Sequence, residues 1–194
     1  MTDKETIWEE LIDYACSLGH DRDQVTWGSM PKETLLKLSN ILSGHGLQVG
    51  GFVGIAHCFL AFTLKDNGSI STIDPNIPHR DIENPFNVMS KMVTHFNFSK
   101  NSMLINGYAK EQIKIFQSLN VKFDFIILDG NHDYEILIDE ISISDLILKS
   151  GGYIVLDDID HWDGPRKAYN SPPIGYKKIV LDSRAGVLQK ILEG

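Results

Sequence analysis

The chain has 194 residues, 42% of them apolar and 23% charged, and its formal net charge is −8. Those proportions suit a soluble globular protein long enough to bury a sizeable core, and they predict one domain over 1–194. No Lys/Arg-rich run occurs, which argues against duplex nucleic acid as the main partner because phosphate binding needs a basic face.

Residues 5–18 carry Ile7, Trp8, Leu11, Ile12, Ala15 and Leu18 at helical spacing, and Gly19 closes the stripe. Polar residues 20–29 read as a loop. Pro31 opens a second helix to about residue 43, whose buried face is Leu35, Leu36, Leu38, Ile41 and Leu42. These two helices over 1–45 read as a cover or a dimerisation element, so a homo-oligomer is compatible with them. Trp8 and Trp27 read as packing residues. Cys16 and Cys58 form no CxxC pair and are expected to be free thiols in a reducing compartment.

The core is expected over 46–194. Residues 47–49 form a brief strand, followed by the glycine-rich turn Gly50, Gly51, Phe52, Val53, Gly54 and an apolar helix through Leu64. Glycines there let the backbone approach a ligand, and a helix N-terminus offers amides to a negative group. Residues 69–74 form a second strand ending in Asp74, which can accept the hydroxyls of a ribose or serve as a turn residue before Pro75. Glycine turn and strand-end acid together favour a nucleoside ligand. A loop with Pro75, Pro78 and Pro85 precedes a helix over 88–96. A third strand over 102–105 then leads to Asn106, Gly107 and Tyr108, and another helix spans 111–119.

The run 123–128 suits a strand buried on both faces and stops at Asp129. Apolar residues at helical spacing continue from Asp133 to Leu148, with Asn131 as N-cap and Gly151-Gly152 closing the segment. Tyr153 to Leu156 form a second buried strand ending on Asp157 and Asp158. A strand–helix–strand unit sets the two strands parallel, so Asp129, Asp157 and Asp158 meet at the carboxyl edge, where open α/β sheets bind ligands. Each acid alone reads as a solvated loop residue or a cap. Three together repel one another and suit a hard divalent cation such as Mg²⁺, Mn²⁺ or Ca²⁺. A short helix begins near Asp163-Gly164-Pro165, and 176–181 with 186–192 form a hairpin. The first residues do not read as a signal peptide, and the apolar stretch 52–64 is too short to cross a bilayer. The expectation is a cytoplasmic protein without a membrane partner.

From residue 46 onward the chain resembles the class I S-adenosylmethionine-dependent methyltransferases. The metal-dependent macrocin O-methyltransferase and cephalosporin-hydroxylase-like group is most similar. The resemblance is carried by FDFIILDGNHDYE, KSGGYIVLDD, the 28-position separation of Asp129 from Asp157, and the terminal hairpin. It implies a Rossmann-like, doubly wound α/β sheet of seven strands, mostly parallel with an antiparallel last strand, preceded by two N-terminal helices. It implies S-adenosylmethionine bound by Gly50, Gly51, Gly54, Asp74, Asn106, Gly107, Tyr108 and Asp129. Asp129, Asp157 and Asp158 would hold Mg²⁺ or a similar cation, and the acceptor would be a small-molecule hydroxyl. Gln48 departs from the family, which usually has an acid there. Asp129 and His132 would serve catalysis, His132 as the base, although a lone histidine near a helix start could equally be a cap or surface residue; His161, just beyond the acidic pair, competes for the role. A nicotinamide-dependent oxidoreductase would share the glycine turn and Asp74 but leaves the three aspartates unexplained. A non-catalytic cofactor-binding module would need no metal.

Overall fold

The computed structural model describes residues 3–191. Three helices come first: α1 (Lys4–Ser17), α2 (Arg22–Trp27) and α3 (Lys32–Leu38). The expectation of two helices is corrected here. Asp21 accepts from the Gln24 amide and nucleates a turn and a half of helix in the polar 20–29 segment. The helix after Pro31 is also shorter than expected, ending at Leu38. α1 carries a capping box, in which Asp3 accepts from the Glu5 and Thr6 amides.

The core then alternates β1 (His45–Val49), α4 (Ile55–Leu64), β2 (Ser69–Asp74), α5 (Pro85–His95), β3 (Ser102–Asn106), α6 (Ala109–Ser118) and β4 (Phe123–Leu128). It continues with α7 (Tyr134–Asp145), β5 (Leu148–Leu156), α8 (Asp163–Asn170), β6 (Tyr176–Val180) and β7 (Gly186–Lys190). The strands form one seven-stranded sheet in the order β3-β2-β1-β4-β5-β7-β6. β7 runs antiparallel to both its neighbours and the other pairings are parallel, as the alternation of strand and helix predicts. Leu192, the last residue expected in the final strand, lies outside the described residues.

Helix α7 ends earlier than its apolar periodicity suggests. Leu148 pairs with Phe123 in the sheet, and the Phe123 amide donates to the Ile147 carbonyl, so strand pairing overrides the helical pattern. Gly151 and Gly152 lie within β5, where a Cβ on Gly152 would sit 2.7 Å from the Asp124 carbonyl beside a register shift. The N-cap is Asp133, which accepts from Glu135 and Ile136; Asn131 instead accepts from the Asp133 amide.

The sheet is covered on both faces. α1, α3, α4 and α5 share one apolar cluster, in which Leu11, Ile12, Leu35 and Phe59 have no exposed surface; α6, α7 and α8 build the other around Ile113, Leu137 and Ala168. Each such large side chain contributes about 1.5–3 kcal/mol through burial. α4 is apolar nearly all round because it lies between the sheet and α1. Among the described residues, no helix is long and apolar enough to cross a membrane.

Candidate active site

The carboxyl ends of β1 to β5 and the loops after them carry every cofactor, metal and catalytic candidate named from the sequence. Gly50 has φ +82, and a Cβ there would overlap the Asp129 carbonyl, so only glycine lets the β1 loop lie against the β4 loop. Gly51 lies close to Thr72 and Met89. Gly54, at φ +93, caps α4 without any side-chain acceptor for that helix's first amides. Asp74 is buried. Its Oδ2 accepts from the amides of Gly51 (2.8 Å) and Phe52 (3.0 Å), and its Oδ1 from Asn76 (2.7 Å). Three of roughly four lone-pair sites are therefore taken by backbone, leaving room for one further donor. Gly107 donates to the Asp74 carbonyl, which sets the Asn106–Tyr108 loop beside that acid with Tyr108 exposed.

Gln48 has a structural task. Its Nε2 donates to the Gly50 carbonyl (2.8 Å), while Thr72 and His57 continue the chain of contacts behind it. His57 is fully buried, and burial pushes it down to about 3, so it is neutral there.

The β4–β5 half is built from charge. The ligand atoms of Asp129, His132 and Asp158 all lie within 4.8 Å of one another. His132 Nε2 stands 3.1 Å from Asp158 Oδ2, close enough to pair but misaligned for a hydrogen bond. Its ring stacks on Trp162 at 5.5 Å. Gly164 at the start of α8 makes this possible, because a Cβ there would overlap the His132 carbonyl. Burial, then the carboxylates of Asp157 and Asp158, holds Asp129 well above the usual carboxylate range. Asp158 lies below it; burial opposes this, but His132 and Arg184 outweigh burial.

Arg184, in the β6–β7 turn, was not singled out from the sequence. Its Nε and Nη2 donate to the two oxygens of buried Asp157 at 3.1 and 3.0 Å, and Nη2 also lies 2.9 Å from Asp158. Asp157 thus faces a guanidinium, and His132 stands in the third place of the acidic group. The turn is anchored by Asp182, which accepts from the Arg184 and Ala185 amides and from Thr34 of α3.

A cavity of about 750 Å³ opens from this cluster toward the N-terminal helices. Its walls include Trp8, Trp27, Arg80, Asp158, His161 and Trp162. Trp27 and Trp162 are 67% and 52% exposed, so Trp27 is a wall residue rather than a packing residue; Trp8 is buried and donates to the Met30 carbonyl. The cavity, its tryptophans and Arg80 left no signal in the sequence beyond residue type.

Comparison with known proteins fits this geometry. The sequence model of a methyltransferase domain matches residues 47–159, from β1 to just past the acidic pair. No curated protein matches the chain. Among solved structures, an O-methyltransferase from Bacillus cereus in complex with SAH superposes with a TM-score of 0.70 at 14% identity, covering 98% of this chain and 93% of that one. The O-methyltransferase TomG from Streptomyces achromogenes, solved with SAM, gives 0.67 at 15% identity, with 100% and 92% covered. SAH-bound PaMTH1 from Podospora anserina gives 0.68 at 16%, with 100% and 89% covered. The chain belongs to the methyltransferase-domain family, as a class I S-adenosylmethionine-dependent methyltransferase.

Proposed function

We propose that this protein methylates a hydroxyl of a small molecule, with S-adenosylmethionine as methyl donor and a divalent cation at the acidic end of the edge. The observation that carries the reading is the convergence of Asp129, His132 and Asp158, with Asp158 lining the cavity and the Asp129 backbone lying against the glycine loop at Gly50. Gly50, Gly51 and Gly54 would hold the cofactor's methionine and ribose portion. Asp74 would give its remaining lone pair to one ribose hydroxyl, and the Asn106–Tyr108 loop would flank adenine. Bound there, the cofactor supplies an electrophilic methyl group and the cation lowers the pKa of the acceptor hydroxyl.

The donor set fits a hard cation: two carboxylates and one imidazole converge, and burial together with the nearby carboxylates raises Asp129, a cost that a positive charge would relieve. Asp129 and Asp158 would hold the ion, with His132 Nε2 the third donor and Asp157 kept behind Arg184. A ring committed to the ion cannot also take the hydroxyl proton. His161, exposed on the cavity wall near Asp158, takes that role in the loaded site, and His132 takes it where no metal binds. The tryptophans hold the acceptor and exclude water around the reacting oxygen.

A second reading has one observation in its favour. Arg184 already supplies a cation to two of the three aspartates, as a metal-free binding module would require. Melting curves of wild type and Asp158→Asn, each with Mg²⁺ and with a chelator, separate the two. Mg²⁺ should raise the melting temperature of wild type more than that of the variant. Equal responses would remove the metal and leave the module reading.

A further inference from the structure

The loop after β2 contains a two-residue turn that the cofactor reading does not use. His79 and Ile82 exchange both backbone hydrogen bonds, at 3.1 and 3.0 Å, around Arg80 and Asp81. Both central residues have positive φ, +50 and +58, a geometry usually given to Asn-Gly. An arginine there is strained by its Cβ, and such strain persists only where the surroundings fix it. They do so on the side-chain stem. Gly28 of the α2 cap has no Cβ, and one placed there would lie 2.9 Å from both Arg80 Cδ and Phe52 Cδ1. Phe52 in turn meets His79 edge-on at 5.4 Å.

The stem is thereby held while the head has nothing to bind. Arg80 Nε is buried without a hydrogen-bond partner, and its guanidinium forms no ion pair among the described residues. The other three arginines are all paired: Arg22 with Glu9 and Asp13, Arg166 with Asp163, Arg184 with Asp157 and Asp158. Arg80 lines the same cavity as Asp158, His161 and Arg184. Of the cavity's acids, Glu9 is held by Arg22 and Asp158 by Arg184, and Glu33 forms no ion pair with Arg80.

We infer that Arg80 is an anion-binding residue of this cavity, so that the acceptor carries a carboxylate or phosphate group as well as the hydroxyl that is methylated. A planar guanidinium with a free, desolvated Nε–H receives such a group through two parallel hydrogen bonds. The inference rests on the cavity being the acceptor site.

The test is calorimetric titration of the S-adenosylhomocysteine-loaded protein with inorganic phosphate and, separately, with benzoate. Wild type should bind at least one of them. Arg80→Met should bind it about ten- to a hundredfold more weakly, as loss of a charge-assisted pair implies, with S-adenosylhomocysteine affinity unchanged. Arg80→Gly should lose the anion equally while melting no lower than wild type, because glycine relieves the positive φ. Which of the two anions binds distinguishes a phosphate from a carboxylate acceptor. Equal anion affinity in wild type and both variants, or no binding of either anion to wild type, would overturn the inference. A parallel loss of S-adenosylhomocysteine affinity in Arg80→Met would overturn it too, by assigning Arg80 to the cofactor. Repeating the anion titration on cofactor-free protein separates this result from failure of the methyltransferase reading, which appears as no S-adenosylhomocysteine binding to wild type.

Discussion

At the β1–β2 half of the sheet edge one buried carboxylate, Asp74, is neutralised by three backbone amides. At the β4–β5 half three carboxylates share one guanidinium and one imidazole. The first arrangement is nearly complete and places the glycine loop by its own hydrogen bonds. The second gathers more carboxylates than its cationic partners offset, so burial and mutual repulsion raise Asp129 and a cation would relieve them. Under the proposed function, the first half would receive a ribose edge and the second a cation and a polar acceptor.

The comparison breaks most severely at Arg184. Replacing it by Met leaves Asp157 buried and unpaired, which should lower stability by about 3–5 kcal/mol in urea unfolding. Asp157→Asn in the same background should restore most of that loss. Gly50→Ala attacks the seam between the halves. Positive φ and overlap with the Asp129 carbonyl should together remove about 3 kcal/mol. If Gly50→Ala unfolds at wild-type urea concentration, the loops do not touch as described. Asp74→Ala deprives three amides of their acceptor and should cost about 1.5–3 kcal/mol, the range for hydrogen bonds to a charged group.

The smallest effect is the pH response, and it divides the β4–β5 half by sign. Asp129 is raised, so the folded protein keeps a proton that the unfolded chain has released. Its contribution to stability therefore falls as pH rises from the ordinary carboxylate value of 3.8 through its higher folded value. Asp158 is lowered, so its contribution is present above 3.8 and lost as pH falls through its lower folded value. In chelator, acidification should strengthen the Asp129 contribution down to 3.8 and weaken that of Asp158 below it, and Glu140, raised by burial to about 7, adds to the first limb. In a Glu140→Gln background, Asp129→Asn should flatten the first limb and keep the second; an unchanged first limb there would contradict a raised Asp129.

Much of this edge could be read from the sequence because strand ends are local features. The span of β2, the β4 run and the pairing of β6 with β7 follow from alternation and turn residues. Asp74, Asp129, Asp157 and Asp158 then converge by topology alone. The misreadings share a cause. α2 depends on one Asp21 cap within polar residues, and the end of α7 depends on Leu148 joining a strand partner. Arg184 lies 27 positions from Asp157 and reaches it only because β7 inserts between β5 and β6. Arg80 sits in a turn whose residues, Arg and Asp, lack the Asn-Gly signature of its geometry.

The division of labour along the edge is tested most directly by calorimetric titration with S-adenosylhomocysteine of wild type, Asp74→Ala and Asp158→Asn. Asp74→Ala should bind about tenfold or more weakly, since a ribose hydroxyl loses its charged acceptor. Asp158→Asn should bind as wild type does while losing the Mg²⁺-dependent rise in melting temperature. Wild-type affinity in Asp74→Ala, or equal losses in the two variants, would contradict the account.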